Sequence, residues 1–282
     1  SKYIIKLNKN LSKKNISSKI FSPLTINYFL NSEKKNVFYL VKINKIPIFC
    51  RKLFFFINNL FTFIYLKIYR PDIIHFSYYN KSLIKFLNIP YVVTIYDLIH
   101  EKMKFNQIEF HKKELLNNAR HIICISKQTK KDLIRIYKIN KKKISVIYLG
   151  ADKSNIYKKK KDNFILYVGN RNRYKNFQNF IKAYSFSRYL TKKYKIICFG
   201  GGSFNNTEIN IFKKLGIKKN IIYKKGSDLE LKNLYKKASL HVSLSTYEGF
   251  GLTLLEAMQF KCPVVCSNIP VFREVYNNSC IF

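Results

Sequence analysis

The stretch Ser243–Met258 reads S-L-S-T-Y-E-G-F-G-L-T-L-L-E-A-M and is the most informative part of this 282-residue chain. Its pattern predicts an apolar strand, a loop in which Glu248 precedes two glycines, and then an apolar helix. Gly249 and Gly251 let the loop backbone pass close to a ligand. Because a helix N-terminus favours negative charge, the pattern predicts a phosphate site. Glu256 lies in the first turns of this helix; taken alone, it could equally be a helix-capping carboxylate.

Strand-like and helix-like runs alternate on both sides of this stretch. The predicted strands are 72–76, 91–95, 121–125, 144–148, 164–168, 195–199, 221–223, 240–244 and 263–266, and the predicted helices include 81–87 and one that Asn176 caps. A charged segment without a core pattern interrupts the series at 152–162. Two successive series predict two doubly wound α/β domains, 1–151 and 163–282, joined by this linker. Ligands of such folds bind beyond the carboxyl ends of the strands.

The segment E-G-F-G-L-T-L-L-E-A-M resembles the E-x7-E motif of the retaining glycosyltransferases of family 4, also called group 1 glycosyltransferases. Further similar segments stand in the family's order, at Ser126–Leu133, Ile144–Asp152, Tyr167–Phe177, Lys225–Tyr235, Pro263–Ser267 and Arg273–Val275. The resemblance is strong over residues 70–282 and weak before them. It implies the GT-B fold, in which two Rossmann-like doubly wound domains face each other across a cleft. The N-terminal domain would bind the acceptor, and the C-terminal domain, incomplete here, would bind a nucleotide sugar.

The resemblance also implies catalytic roles for Glu248, Arg171 and Lys175. Glu248 would lie near the transferred sugar, while Arg171 and Lys175 would hold the donor pyrophosphate. Two fixed cations beside a helix N-terminus suit the negative charge that grows on a leaving nucleoside diphosphate. Arg173 lies in the same loop, so which arginine acts is open, and either could be a solvated surface residue.

The donor-binding residues implied in the same way are Glu256, Gly249, Phe250, Gly251, Leu252, Arg173, Gly201 and Ser227. Glu256 would accept hydrogen bonds from the ribose hydroxyls. The backbone N–H groups of residues 250–252 would face the sugar or the phosphate. Gly201 would line the donor cleft, and Ser227 would lie near the base.

The acceptor or sugar side is expected to include Tyr96, Asp97, His100 and His75. Tyr96 occupies the position where many family members have a histidine that touches the donor sugar, so this contact is in question. Asp97 and His100 are the nearby polar residues, although a structural hydrogen bond is the commoner role for a loop histidine. His75 follows another strand and would line the acceptor side.

No cofactor and no metal are expected. The sequence contains no Asp-x-Asp, the motif that holds a divalent ion in the metal-dependent transferases, so protein cations would supply the Lewis-acid role. Two nearby carboxylates could also suggest a glycosidase, but that chemistry needs no phosphate loop. The six cysteines form no C-x-x-C pair, which predicts buried, reduced thiols instead of a zinc site or a disulfide framework.

Charge and composition restrict the partners. With 53 Lys+Arg against 15 Asp+Glu, the net charge is +38, and carboxylates are too few for a calcium-cage protein. Only eight basic residues are arginines, the side chain that reads guanine and phosphate best, so no specific nucleic-acid partner is expected. An anionic membrane surface or a phosphorylated substrate fits better. The apolar run Leu53–Leu66 is too short to span a bilayer and predicts a buried helix or, alternatively, a helix resting on the membrane.

Together these features predict a metal-independent, retaining glycosyltransferase of surface-polysaccharide or lipopolysaccharide synthesis. It would move a hexose, with mannose from GDP-mannose favoured, to a glycan or polyprenyl-linked acceptor. The expected location is the cytoplasm, peripherally on the inner face of the cell membrane. The alternatives are a GT-B sugar-phosphate synthase with a soluble acceptor and a non-catalytic GT-B binding protein. The chain begins at Ser1 without Met and ends after an apolar pair, so we expect truncation at both ends.

Overall fold

The computed structural model describes residues 2–25, 37–42, 47–76, 88–103, 110–151, 160–171 and 173–282. They fall into two compact units. The first comprises Ser1–Ile95, Gln107–Ile123 and Ile139–Ser145, and the second comprises Tyr96–Asn106, Cys124–Lys138 and Val146–Phe282. The helix expected at 81–87 and most of the linker expected at 152–162 lie outside the described residues. The domain limits expected from the sequence therefore stay a prediction.

The elements of the described residues number thirteen strands and eleven α-helices. The strands are β1 (Ile20–Phe21), β2 (Leu24–Thr25), β3 (Val37–Phe38), β4 (Val41–Lys42), β5 (Ile74–Phe76), β6 (Tyr91–Ile95), β7 (His121–Cys124), β8 (Ile144–Val146), β9 (Asp162–Val168), β10 (Lys195–Phe199), β11 (Ile221–Lys224), β12 (Ala238–Ser243) and β13 (Val264–Cys266). The helices are α1 (Lys2–Lys13), α2 (Arg51–Tyr69), α3 (Ile99–Lys102), α4 (Phe110–Asn118), α5 (Lys127–Tyr137), α6 (Phe177–Phe186), α7 (Arg188–Lys193), α8 (Asn206–Lys214), α9 (Asp228–Lys237), α10 (Leu252–Gln259) and α11 (Pro270–Tyr276).

The first unit is built on a sheet with the strand order β5-β6-β7-β8, and β1–β3 and β2–β4 form two short parallel pairs beside it. Strand β5 runs parallel to β6, with Ile74 opposite Tyr91. The apolar run of β6 is nearly all buried, as expected of a strand covered on both faces.

Helix α2 corrects the expectation of a buried helix. Eight of its large apolar side chains are exposed, and five of these recur every three or four residues and so share one face: Leu53, Phe56, Leu60, Ile64 and Ile68. Its opposite side is anchored by Asn58, whose amide donates to the Leu24 carbonyl and accepts from the Leu24 N–H at 3.1 and 2.8 Å. Among the described residues, no helix is both long and apolar enough to cross a membrane.

The second unit contains a five-stranded parallel sheet with the strand order β11-β10-β9-β12-β13. Alternate residues of its central strand face opposite cores. Phe164 and Leu166 pack with the apolar cluster that includes residues of α9, α10 and α11, whereas Ile165 and Tyr167 pack with the cluster that includes residues of α6 and α8. The strand order reverses between β9 and β12, and a doubly wound sheet binds ligands at this switch point.

Three local expectations from the sequence need correction in this unit. Strand β9 begins at Asp162, inside the expected linker. Asn176 precedes α6, but its backbone is left-handed and its side chain makes no capping hydrogen bond. The helix expected to run on from it ends at Phe186, because Ser187 caps a separate helix, α7.

Helix α5 also belongs to the second unit, and two acceptors hold its N-terminus. Ser126 caps it as expected, since its hydroxyl oxygen accepts from the Thr129 N–H at 3.0 Å. The carboxylate of Glu274, on α11, accepts from the N–H groups of Lys127 and Gln128 at 2.5 and 2.8 Å. A negative charge at this end of a helix also interacts favourably with the helix dipole.

Candidate active site

Two loops meet at the switch point of the second unit, one after β9 and one after β12. The N–H of Thr246 donates to the carbonyl of Tyr174 at 2.7 Å and joins their backbones. The Lys175 ammonium lies 2.6 Å from a carboxylate oxygen of Glu248. Ser245 donates its hydroxyl to the same oxygen at 2.6 Å. Lys175 and Glu248, two of the three predicted catalytic residues, are therefore side by side. Both remain partly accessible, since the side chain of Lys175 is 24% and that of Glu248 is 12% exposed.

The start of α10 forms another wall of this site. Gly251 precedes the helix with a φ of +87°, and a Cβ at this position would lie 2.5 Å from the ring of Phe272. Glycine is therefore required by both the backbone conformation and the packing. The Gly251 carbonyl accepts from the Tyr276 hydroxyl at 2.7 Å. Leu252, the first helical residue, is exposed, whereas the Phe250 ring is buried, so only the backbone of Phe250 could face a ligand.

Glu256 lies in the second turn of α10 and is half-buried. One of its carboxylate oxygens accepts from the Tyr235 hydroxyl at 3.2 Å. Burial, together with this carboxylate, holds the pKa of Tyr235 well above its ordinary value, so the phenol stays protonated and can donate. The contact holds Glu256 in one orientation. Its role in ribose binding stays a prediction.

A buried histidine lies next to Tyr235. His241, on β12, contacts the Leu166 carbonyl through Nδ1 at 3.1 Å and packs edge-on against the Tyr235 ring. Within the described part of the chain, its Nε2 has no hydrogen-bond partner. Burial lowers the pKa of His241 to about 4, so the ring is neutral near pH 7 and acts as a core residue.

The environment of Arg171 differs from the one that a phosphate-binding side chain needs. Its side chain is only 5% exposed and its Nε lies 2.5 Å from Glu208. Its terminal nitrogens donate to Glu208 and to the carbonyls of Gly200, Gly202 and Ser203 at 3.0–3.4 Å. The N–H donors of the guanidinium are therefore directed at protein acceptors. In this structure Arg171 stabilises the glycine loop after β10 and is not available as a phosphate-binding cation.

Gly201 belongs to the same glycine loop, and a Cβ here would collide with the Gly169 carbonyl oxygen. The loops after β9 and β10 can therefore approach only because residue 201 is glycine. Arg173, in contrast, is exposed. It is the arginine of the loop that is available to an anion.

Ser227 has a local structural role. Its hydroxyl caps α9 by accepting from the Glu230 N–H at 3.3 Å, and the Glu230 carboxylate accepts from the Ser227 N–H at 2.6 Å. This reciprocal arrangement is a capping box. It lies in the loop after β11, and the residue's expected proximity to a base stays a prediction.

The expected acceptor-side residues separate into two groups. Tyr96, Asp97 and His100 belong to the second unit, where the Tyr96 carbonyl oxygen contacts Gly249 so closely that a Cβ on Gly249 would collide with it. Asp97 accepts from the Ile99 N–H at 3.1 Å, and His100 is exposed. His75 belongs to the first unit, where its Nε2 is 2.8 Å from the Thr94 hydroxyl and burial lowers its pKa. The structure therefore brings Tyr96 to the Glu248 loop and gives His75 a local partner.

One cluster beside the site was missed in the sequence. Asp132, on α5, is 3% exposed; it accepts from the Tyr247 hydroxyl at 2.9 Å and from Gln128 at 2.9 Å, and it lies 3.2 Å from the Lys102 ammonium. Tyr247 directly precedes Glu248, so this cluster fixes the loop that carries the carboxylate. The sequence did contain a signal for this cluster, because Asp132 lies in the buried stripe of an amphipathic helix and a buried carboxylate needs partners.

Comparison with known proteins identifies the family. A protein-family model described as Glycosyltransferase Family 4 matches residues 1–155, and one described as Glycosyl transferases group 1 matches residues 150–279. The chain belongs to glycosyltransferase family 4. The family 4 resemblance expected from the Glu248–Glu256 motif is thus confirmed.

Two curated relatives of this family 4 chain act in bacterial glycan assembly, according to their names. It is 34% identical over 170 residues to the O-antigen chain mannosyltransferase RfbU of Salmonella typhimurium, which covers 59% of this chain and 47% of the relative. It is 28% identical over 179 residues to the N-acetylgalactosamine-N,N'-diacetylbacillosaminyl-diphospho-undecaprenol 4-alpha-N-acetylgalactosaminyltransferase of Campylobacter jejuni, covering 61% of this chain and 48% of the relative. The chain spans about half the length of these relatives.

Among solved structures, the sucrose-phosphate synthase of Thermosynechococcus elongatus is similar to this family 4 chain, with a TM-score of 0.74 and 18% identity over 96% of this chain and 76% of that one. This similarity, with the parallel sheets described above, confirms the predicted GT-B fold class. Within the residues that the structure describes, no three His, Cys, Asp or Glu side chains are grouped as metal ligands would be.

Proposed function

We propose that the protein transfers a hexose from a nucleotide-diphosphate sugar to a glycan or lipid-linked acceptor in bacterial surface-polysaccharide synthesis. The observation that carries the proposal is the convergence of Lys175, Glu248 and the α10 N-terminus at the switch point of a doubly wound sheet. This is where such sheets bind nucleotides, and the groups present there suit a diphosphate and a sugar.

The electrostatics of the site favour loss of a nucleoside diphosphate. When the sugar–phosphate bond breaks, negative charge grows on the leaving phosphate oxygen. Lys175, which has further N–H donors besides the one directed at Glu248, the N–H groups at the start of α10 and the exposed Arg173 can each stabilise that charge. We assign the cationic role to Lys175 and Arg173, and we assign Arg171 the support of the loop, because its donors already have protein acceptors.

The two glutamates are proposed to bind different parts of the nucleotide-sugar donor. Glu256, held by Tyr235, would accept hydrogen bonds from the ribose hydroxyls. Glu248, paired with Lys175 and Ser245, would accept from hydroxyls of the transferred sugar. A carboxylate that already carries two donors is a poor covalent nucleophile. This supports transfer with retention by front-face attack, in which the leaving phosphate assists deprotonation of the acceptor hydroxyl.

Metal independence is part of the proposal. It is supported by the cations at the expected phosphate position and by the lack of an Asp-x-Asp sequence. The names of the relatives support the choice of substrates: one is a mannosyltransferase of the O-antigen chain, and another acts on a diphospho-undecaprenol-linked sugar. We therefore propose mannose as the favoured sugar and a polyprenyl-diphosphate-linked glycan as the acceptor.

We also propose peripheral attachment to an anionic membrane from the cytoplasmic side. The net charge of +38 favours anionic headgroups, and the exposed apolar side chains of α2 supply a face that can enter the interface. Sedimentation with vesicles tests this. Phe56→Ser should weaken binding to vesicles that contain phosphatidylglycerol, whereas Phe186→Ser, at an even more exposed phenylalanine of the second unit, should not. Equal effects of both substitutions would contradict the assignment.

The donor site is tested by thermal unfolding against UDP-, GDP-, ADP- and dTDP-sugars with a chelator present. A ligand at about 100 times its Kd adds about 2.7 kcal/mol of stability, which is readily seen. We expect one nucleotide to stabilise the protein and Glu256→Gln and Lys175→Ala to lose most of that shift. Lys182→Ala, at an exposed lysine of α6, is the matched control and should keep it. No shift with any donor, or equal shifts in all variants, would contradict the site.

A further inference from the structure

Two cysteine thiols are in contact beside β13, the edge strand of the second unit's sheet. The Sγ atoms of Cys266, the last residue of β13, and Cys280 lie 3.2 Å apart. Backbone hydrogen bonds hold the two segments together, since Cys266 donates its N–H to the Ile281 carbonyl at 2.9 Å and Ile281 donates to the Val264 carbonyl at 3.0 Å. A disulfide requires an S–S separation of about 2.0 Å, so a closure of about 1.2 Å would join these atoms.

The two thiols differ in access, which gives each a separate role. Cys266 is buried, and burial raises the pKa of its thiol. Cys280 is half-buried, so it is the more exposed of the two residues. Elsewhere in the described residues, Cys124, Cys198 and Cys262 are buried, and no other pair of sulfur atoms is in contact. The contact is therefore particular to Cys266 and Cys280.

We propose that Cys266 and Cys280 form a modification site at which an oxidant of the peroxide class converts the two thiols to a disulfide. The Cys280 thiolate attacks one peroxide oxygen, so that an S–O bond forms, the O–O bond breaks and the other oxygen leaves as an alcohol or water after taking a proton. The Cys266 sulfur then attacks the Cys280 sulfur; the S–S bond forms, and hydroxide leaves and takes the Cys266 proton as water. Two thiols lose two electrons in total, and the peroxide gains them.

The disulfide would close the segment that supports the candidate active site. Residues 267–279 contain α11, whose Tyr276 hydroxyl donates to the Gly251 carbonyl and whose Glu274 carboxylate holds the N-terminus of α5. A cross-link between the two ends of this segment restricts its opening. The proposal does not depend on the donor, the acceptor or the transfer reaction.

The test is thiol mapping after oxidation of the whole chain. The reduced protein is treated with a small excess of hydrogen peroxide, alkylated in denaturant, digested and analysed by mass spectrometry. Of its six cysteines, we expect two to become resistant to alkylation, which leaves four, with one linked peptide pair that contains Cys266 and Cys280. Dithiothreitol should restore all six. Cys50→Ser should keep the linked pair, whereas Cys280→Ser should lose it.

Three results would overturn the proposal. The first is a cross-link that joins either residue to a different cysteine or to another chain. The second is sulfinic acid at Cys280 while Cys266 is still alkylated. The third is full alkylation of both residues after peroxide has been consumed. Each is read from the wild-type protein, so the outcome does not depend on whether a variant folds.

Discussion

The buried imidazole of His241 should make the protein lose stability in mild acid. Burial lowers the pKa of this side chain from 6.5 to about 4 in the folded state, so the folded protein resists protonation. The unfolded chain takes up the proton below about pH 6.5 and the folded chain does so only below about pH 4. The stability contributed by neutral His241 is therefore complete above the unfolded pKa and is lost as the pH falls towards the folded pKa.

The magnitude follows from the two pKa values of His241. Each pKa unit is worth about 1.4 kcal/mol, which gives a limit of roughly 3 kcal/mol for the whole shift. Between about pH 7.5 and about pH 5 the expected loss from this residue is about 2 kcal/mol. Carboxylates and His75 contribute their own pH dependence, so the quantity to compare is the difference between the wild type and a variant without the titrating ring.

His241→Asn is the appropriate variant, because its amide can keep the bond to the Leu166 carbonyl and does not titrate. The chain contains no tryptophan, so unfolding in urea is followed by far-ultraviolet circular dichroism at both pH values. We expect the variant to be less stable at neutral pH, because a smaller side chain leaves a cavity, but to lose about 2 kcal/mol less on acidification. An identical pH dependence in both proteins would refute the assignment of a depressed pKa to His241.

Three further predictions concern the loops of the candidate site. Gly249→Ala should destabilise the protein by about 1–3 kcal/mol, because the new Cβ collides with the Tyr96 carbonyl, whereas Gly150→Ala, where nothing lies within 4 Å, should not; equal melting temperatures would contradict the close approach. Tyr247→Phe should cost about 1.5–3 kcal/mol in urea unfolding, since it removes a hydrogen bond to the buried Asp132 carboxylate, and a neutral effect would show that this bond is dispensable. Arg171→Ala should cost about 3–5 kcal/mol by removing the cation that neutralises the mostly buried Glu208, whereas Arg173→Ala should leave the unfolding curve unchanged; similar stabilities of the two variants would argue against the structural role of Arg171.

Much of the second unit could be predicted from the sequence because its signals are local. Strands such as Lys195–Phe199 are short apolar runs, and helix starts such as Ser227 are marked by capping residues. The spacing of Glu248 and Glu256 around glycines placed the loop and the helix correctly. The closeness of Glu248 to Lys175 agrees with the rule that loops after adjacent parallel strands meet at one edge of the sheet.

What could not be predicted depends on contacts between residues far apart in the chain. Arg171 was expected to bind phosphate because it matches the basic pair of the family, but its partner Glu208 lies 37 residues away on a helix whose orientation the sequence does not specify. Glu274 caps a helix 147 residues before it. The exposed face of α2 was taken as buried because hydrophobicity alone does not say whether another element covers a helix.

The central claim is that Lys175 stabilises the charge on a departing nucleoside diphosphate. Its most direct test is the rate of nucleoside diphosphate release from the donor that binds, measured with the acceptor present and a chelator added. We predict that Lys175→Ala lowers kcat by about 10²–10³-fold, as expected for the loss of one preorganised donor, while Lys182→Ala leaves kcat unchanged. Equal rates for Lys175→Ala and the wild type, or no release of nucleoside diphosphate by the wild type with any donor, would contradict the account.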